Sequence, residues 1–254
     1  MSDRPLPRLE AVPGAHVRAE PAAVVLVAHG GQSHSTVPAT RRGLAYWRMR
    51  PFAHALDRYG RHARSELGVG VAVYLLRYRV RGWNGAARDA LVDTEWAIGE
   101  LARRHPGRPL ALVGHSMGGR AVLYAAGAPD VVAVCALAPW LDGTDPVAQL
   151  AGRSVLIAHG DHERITDPAE SLAYAERARA VTDRVARFDV HGDGHAMLRR
   201  AADWTSLVRR FVLGELGAEP PDPSITNAMA EPAPAGLQVP LEAGSRRGPR
   251  RSTT

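Results

Sequence analysis

Short, continuous apolar runs alternate with longer amphipathic stretches along most of this chain, and that alternation admits few folds. The runs are Ala22–Ala28, Val69–Leu76, Pro109–Val113, Val131–Leu137, Ser154–Ala158 and Arg184–Val190. Between them lie helix-like segments at Gly43–Tyr59, Ala86–Arg104, Arg120–Ala126, Pro168–Val181 and Ala201–Leu216. The inner runs are rich in β-branched residues and do not alternate polar with apolar, as expected of strands buried on both faces of a parallel sheet. The pattern predicts an α/β fold, with a mostly parallel sheet of about six strands and helices on both faces. Loops at the carboxyl ends of such strands carry the chemistry. Residues 1–20 read as an irregular lead-in and 21–217 as the folded domain. From Ala218 onward Pro, Ala, Glu, Gly and Arg displace the apolar periodicity, so 218–254 read as a disordered tail.

The third apolar run ends in Gly114-His115-Ser116-Met117-Gly118-Gly119 and is followed by a helix-like run. Strand, sharp turn and helix with a serine at the apex would hold Ser116 in a strained conformation and lift its hydroxyl off the sheet edge. Gly114, Gly118 and Gly119 are small where strand and helix nearly touch. The Met117 N–H opens the helix and can face a developing oxyanion.

A nucleophilic serine needs a base and an acid. The run at Ser154–Ala158 leads into His159-Gly160-Asp161-His162-Glu163-Arg164-Ile165, and the last run into His191-Gly192-Asp193-Gly194-His195. An acid and a histidine thus follow the final two strands, in the order Ser, acid, His. Such a histidine takes the serine proton as general base and returns it to the leaving group, while the acid fixes its tautomer. A metal site from His159, Asp161 and His162 does not match a recognised ligand spacing, so no metal is expected.

Together these segments resemble the α/β-hydrolase superfamily, over roughly Ala22 to Leu216. G-H-S-M-G-G looks like its nucleophile elbow. H-G-D-H-E-R-I resembles its acid loop, which implies Glu163 as the acid, with Asp161, Asp167 and Asp142 as rivals. G-D-G-H resembles its histidine loop, which implies His195 as the base rather than His191. Ala28-His29-Gly30-Gly31 resembles its oxyanion loop, which implies the Gly31 N–H as the second donor beside Met117. Arg81-Gly82-Trp83-Asn84 is a degraded form of a further superfamily loop. The resemblance implies a serine hydrolase that cleaves a carboxylic ester or thioester through an acyl-enzyme on Ser116 and needs no cofactor. A peptidase or amidase on the same triad, or a non-catalytic binding module on this fold, are the alternatives.

Relatives often carry a cap between the strand after the nucleophile and the acid strand. Here Ala138 to Arg153 is a short connection with no room for one. The site should be open, favour short acyl chains and be flanked by Trp83 and Trp140; these and Gln32 are the candidates to line a substrate pocket. The expected partner is a small-molecule acyl substrate, anionic if the alternating Arg77, Arg79 and Arg81 meet it.

Net charge is +6, and all 32 basic residues are arginine. The excess lies in the body, where acids are few between Arg41 and Arg81. No basic-aromatic pattern suggests nucleic-acid binding. The single cysteine, Cys135, sits in an apolar run and reads as core. Met1 to Arg18 has no apolar signal region, and no apolar run reaches membrane-spanning length, so the expected location is the cytoplasm.

Overall fold

The computed structural model describes residues 5–12, 20–65 and 68–243. Its elements run β1 (Arg8–Ala11), β2 (Ala23–Ala28), α1 (Leu44–Gly60), β3 (Arg64–Ser65), β4 (Gly68–Val69), β5 (Val71–Arg77), α2 (Asp89–Arg104), β6 (Leu110–His115), α3 (Met117–Tyr124), β7 (Val131–Leu137), β8 (Ser154–Gly160), α4 (Pro168–Ala178), β9 (Val185–Val190), α5 (Ala201–Glu215), α6 (Pro223–Ala230) and β10 (Val239–Pro240). Eight strands form one sheet in the order β1-β5-β2-β6-β7-β8-β9-β10. Within this sheet, among the described residues, only β1 runs antiparallel to its neighbour.

Strand alternation sorts the core into two layers. Val25 and Val27 of β2 pack with Met49 and Phe52 of α1 and with Trp204 and Phe211 of α5. Val24 and Leu26 face the other way, toward Leu101 of α2, Val122 of α3 and Tyr174 of α4. Each face of the sheet is therefore covered, which is why its inner strands can be apolar throughout. Chain order reverses between β2 and β6: β5 lies on one side of β2 and β6 on the other. Connections leaving those two strands diverge and open a crevice over their carboxyl ends. The Gly30-Gly31 loop and Ser116 follow these same two strands.

Three expectations need correction. The sheet has eight strands rather than about six. Arg8–Ala11, read as irregular lead-in, is an edge strand in register with Tyr74 to Arg77. Glu10 pins it by accepting from Arg77, Arg41 and the Tyr46 hydroxyl. Residues 218–243, read as disordered, form α6, a short 3-10 turn and β10. Ile225, Met229, Leu237 and Leu241 are buried there. Asp222 caps α6 by accepting from the Ser224 and Ile225 N–H groups, and Pro223 occupies the first helical turn. The parts of the two expectations that concern residues 1–4, 13–19 and 244–254 lie outside the described residues.

Candidate active site

The turn at Ser116 is built by backbone contact. Ser116 has φ 55° and ψ −119°, a conformation that costs about 1–3 kcal/mol in a non-glycine residue. Surrounding bonds hold it there: its N–H donates to the Leu137 carbonyl at 3.0 Å, and its carbonyl accepts from Arg120 and Trp140 N–H, both at 3.1 Å. A Cβ on Gly114 would collide with the Gly118 carbonyl, and one on Gly118 with the carbonyls of Ala28 and His29. Strand β6, helix α3 and the loop after β2 thus meet main chain to main chain.

His195 Nδ1 donates to Glu163 Oε2 at 2.9 Å, leaving Nε2 as the nitrogen available to a proton from Ser116. The Ser116 hydroxyl itself makes no hydrogen bond among the described residues; such contacts often tighten only once substrate binds. The Glu163 carboxylate is fully enclosed. Its Oε1 accepts from the N–H groups of Arg164 and Ile165, both at 2.7 Å. Burial would raise its pKa, but the His159 and His195 rings and the Ile165 N–H outweigh that and hold it well below the usual carboxylate range. Glu163 is therefore the carboxylate beside His195.

The rivals are engaged elsewhere. Asp161 accepts from His191 and from the Gly192 N–H. Asp167 caps α4 through the Ala169 N–H. Asp142 binds Arg120 and Thr144. His191 is exposed and bonded to Asp161 rather than to Glu163. One contact was missed in the sequence: His159 is wholly buried, bonded to Ser171 and Thr166, with Nε2 3.7 Å from Glu163 Oε2. Its spacing of four residues from Glu163 was the available signal.

Two N–H groups are free to face an oxyanion. Met117 opens α3, so its N–H has no intrahelical partner. The Gly31 N–H makes no hydrogen bond among the described residues, whereas the Gln32 N–H is committed to the Arg81 carbonyl at 2.8 Å. A Cβ on Gly31 would strike both that carbonyl and the Met117 side chain, so the segments carrying the two donors touch.

Two buried histidines brace these loops. His29 Nδ1 donates to the Gly30 carbonyl at 2.6 Å, and His115 Nε2 donates to the His195 carbonyl at 2.9 Å. Burial pushes His29 down to about 4 and His115 down to about 3, from 6.5. Depressed values mean that the unfolded chain takes up protons first as pH falls. Their contribution is intact above about 6.5 and is lost toward about 4 and then about 3. Glu163, also depressed, adds to the loss only below its ordinary value of 4.5. The urea midpoint should therefore fall between about pH 7 and about pH 4.5, and fall less in His115→Gln. A midpoint that is flat across this range would contradict the burial of these neutral imidazoles.

The pocket candidates divide. Trp83 is buried and stands 6.2 Å from Trp140, ring to ring and perpendicular. The Arg120 guanidinium lies against both rings, at 4.9 and 4.7 Å from their centroids. Asp142 and Asp145 neutralise it. The tryptophans line a cavity of about 330 Å³, but their main partner is this buried cation. Gln32 lines a second cavity of about 240 Å³, together with Gly30, Gly31, Leu44, Tyr46 and Arg81. Arg77 and Arg79, expected to meet an acidic substrate, are neutralised by Glu10 and by Asp89 and Asp93.

Among the described residues, no helix is long and apolar enough to cross a membrane. No curated protein matches the sequence. Solved structures do. Est1E from Butyrivibrio proteoclasticus with ferulic acid bound aligns at TM-score 0.61 and 15% identity, over 83% of this chain and 96% of that one. A thermophilic esterase from Thermogutta terrifontis, Est2 with propionate bound, aligns at 0.60 and 19%, over 85% and 92%. The esterase Pf2001 from Pyrococcus furiosus aligns at 0.60 and 15%, over 80% and 83%. At these identities the likeness establishes the fold. Sequence goes further, because residues 19–155, over half of the chain, match the family described as serine aminopeptidase, S33. The chain belongs to that family of hydrolases, within the α/β-hydrolase superfamily.

Proposed function

We propose that this hydrolase is a serine esterase acting on small carboxylic esters or thioesters. The observation that carries the reading is the His195–Glu163 hydrogen bond, on loops that flank a strained serine. In this reading Ser116 Oγ attacks the ester carbonyl carbon while its proton passes to His195 Nε2. Carbonyl oxygen becomes an oxyanion facing the Gly31 and Met117 N–H groups. The carbon–oxygen bond to the leaving group then breaks, and His195 gives its proton to that oxygen. Water adds to the acyl-enzyme by the reverse path: its proton goes to Nε2, the acid leaves, and Ser116 recovers its proton. Glu163 stays ionised throughout and stabilises the imidazolium. The reading also places the protein in the cytoplasm, in keeping with a lone buried thiol that demands no oxidising compartment.

Charge favours an ester over an N-terminal peptide bond. An aminopeptidase must seat a protonated amine, which calls for a carboxylate in its pocket. The cavity beside Gly31 is lined by no Asp or Glu among the described residues and carries Arg81. It is also small, so acyl chains should gain about 0.8 kcal/mol per methylene only until it is filled. The test combines labelling and turnover. A fluorophosphonate should modify Ser116, mapped by peptide mass, and p-nitrophenyl butyrate should be hydrolysed far faster than aminoacyl p-nitroanilides. Turnover of the anilides with none of the ester would replace this reading by aminopeptidase action. No labelling and no turnover would favour a binding module.

A further inference from the structure

Several arginines around the site have a carboxylate partner; Arg81 and Arg48 are among those that have none among the described residues. Arg81 donates Nε to the Pro38 carbonyl, has no carboxylate partner among the described residues, and lines the cavity of about 240 Å³ beside Gly31. Arg48 lies on α1, four residues after Leu44 and three after Ala45, both of which line that cavity. Residues so spaced share a helix face, so Arg48 stands one turn farther along the face that the cavity presents. It is partly buried, yet it has no hydrogen bond, ion pair or ring contact with any described residue. Its charge is felt at His115, the residue before Ser116, where it disfavours the imidazolium. Burial also lowers the pKa of Arg48 itself, with no counter-ion to offset the lost hydration.

Holding a guanidinium half out of water with no anion works against folding. An anionic ligand removes that cost, and charge-assisted bonds to guanidinium are among the stronger ones available. We propose that the substrate's acyl part carries a carboxylate or similar oxyanion, attracted by Arg81 at the wall of the cavity beside Gly31 and received by Arg48, one helical turn beyond the residues of α1 that line it. This substrate class rests on the esterase reading above. Of the three arginines expected from sequence alternation only Arg81 is left for this role, because Arg77 and Arg79 are spent on Glu10, Asp89 and Asp93; Arg48 was not expected.

The test compares p-nitrophenyl monoesters of succinic, glutaric and adipic acids with neutral esters of the same shape, in which an isopropyl group replaces the carboxylate. Uncatalysed rates are subtracted. Wild-type kcat/KM should favour at least one acid ester over its neutral counterpart. Arg48→Met should lower that ratio by about tenfold, the worth of one charge-assisted hydrogen bond, mainly through KM. Arg48→Lys should restore part of it, added salt should shrink it, and Arg81→Met should lower it less. Arg58→Met, on the same helix about 15 Å farther along, removes an equal charge and should leave the ratio unchanged. Equal wild-type rates on the paired esters, or a ratio indifferent to both Arg48→Met and Arg81→Met, would overturn the inference while leaving the esterase reading in place. Hydrolysis of none of these esters, with no labelling of Ser116, would remove both together.

Discussion

Replacing Ser116 by alanine should lower kcat on an activated ester by at least about a thousandfold, because triad members act as a unit and the residual rate comes only from binding and the oxyanion donors. The fold should survive, since alanine relieves rather than adds bulk at a residue that is already strained. Glu163→Gln should cost less than Ser116→Ala. Its amide can still accept the backbone bonds at Oε1, but it no longer stabilises the imidazolium. Pre-steady-state kinetics on p-nitrophenyl butyrate separates the steps: wild type should release an acylation burst, and Ser116→Ala none. An unchanged burst in Ser116→Ala would exclude the serine as nucleophile.

Removal of the chain after Ala218 should lower Tm by about 10 °C and weaken turnover further. The lost segment does more than cover apolar surface. Its Leu237 carbonyl accepts from buried Arg187, its Glu231 and Ala228 carbonyls from Arg179, and its Leu241 carbonyl from Arg200. Each donor left unsatisfied costs about 1–3 kcal/mol. Strand β10 also pairs with β9 at Phe188 and Asp189, just before the loop that carries His195. The His195 loop should therefore loosen before the sheet melts. Calorimetry of the truncated chain beside its ester turnover checks both effects. A truncated protein with wild-type Tm and kcat would show that this segment only decorates the surface.

The inner sheet was legible because β2, β6, β7 and β8 are buried on both faces and carry their signal in hydrophobicity alone. The Ser116 turn and the loops that bring Glu163 to His195 were legible for a different reason: glycines at backbone contacts, and polar residues directly after apolar runs, leave local marks. The termini were not. Arg8–Ala11 is held by Glu10 to Arg77, Arg41 and Tyr46, contacts far away in sequence. In 218–243 the proline- and alanine-rich composition masked a capped helix. Asp222-Pro223 is a start signal, and Ile225, Ala228 and Met229 repeat at helical spacing. The tryptophans were placed on the correct edge, yet nothing local in sequence said that Arg120, buried between them, would claim their faces.

Gly118 lies directly against the carbonyls of Ala28 and His29, so one main-chain contact sets how far the Met117 amide stands from the Gly31 amide. Such a template fails in a particular way. Any side chain at position 118 would wedge helix from loop and spread the two amides apart. A resting ester, whose carbonyl carries little charge, loses little by that; the tetrahedral oxyanion loses both of its donors at once. The molecule would keep its grip on substrate and lose its pace: Gly118→Ala should lower kcat steeply at nearly constant KM.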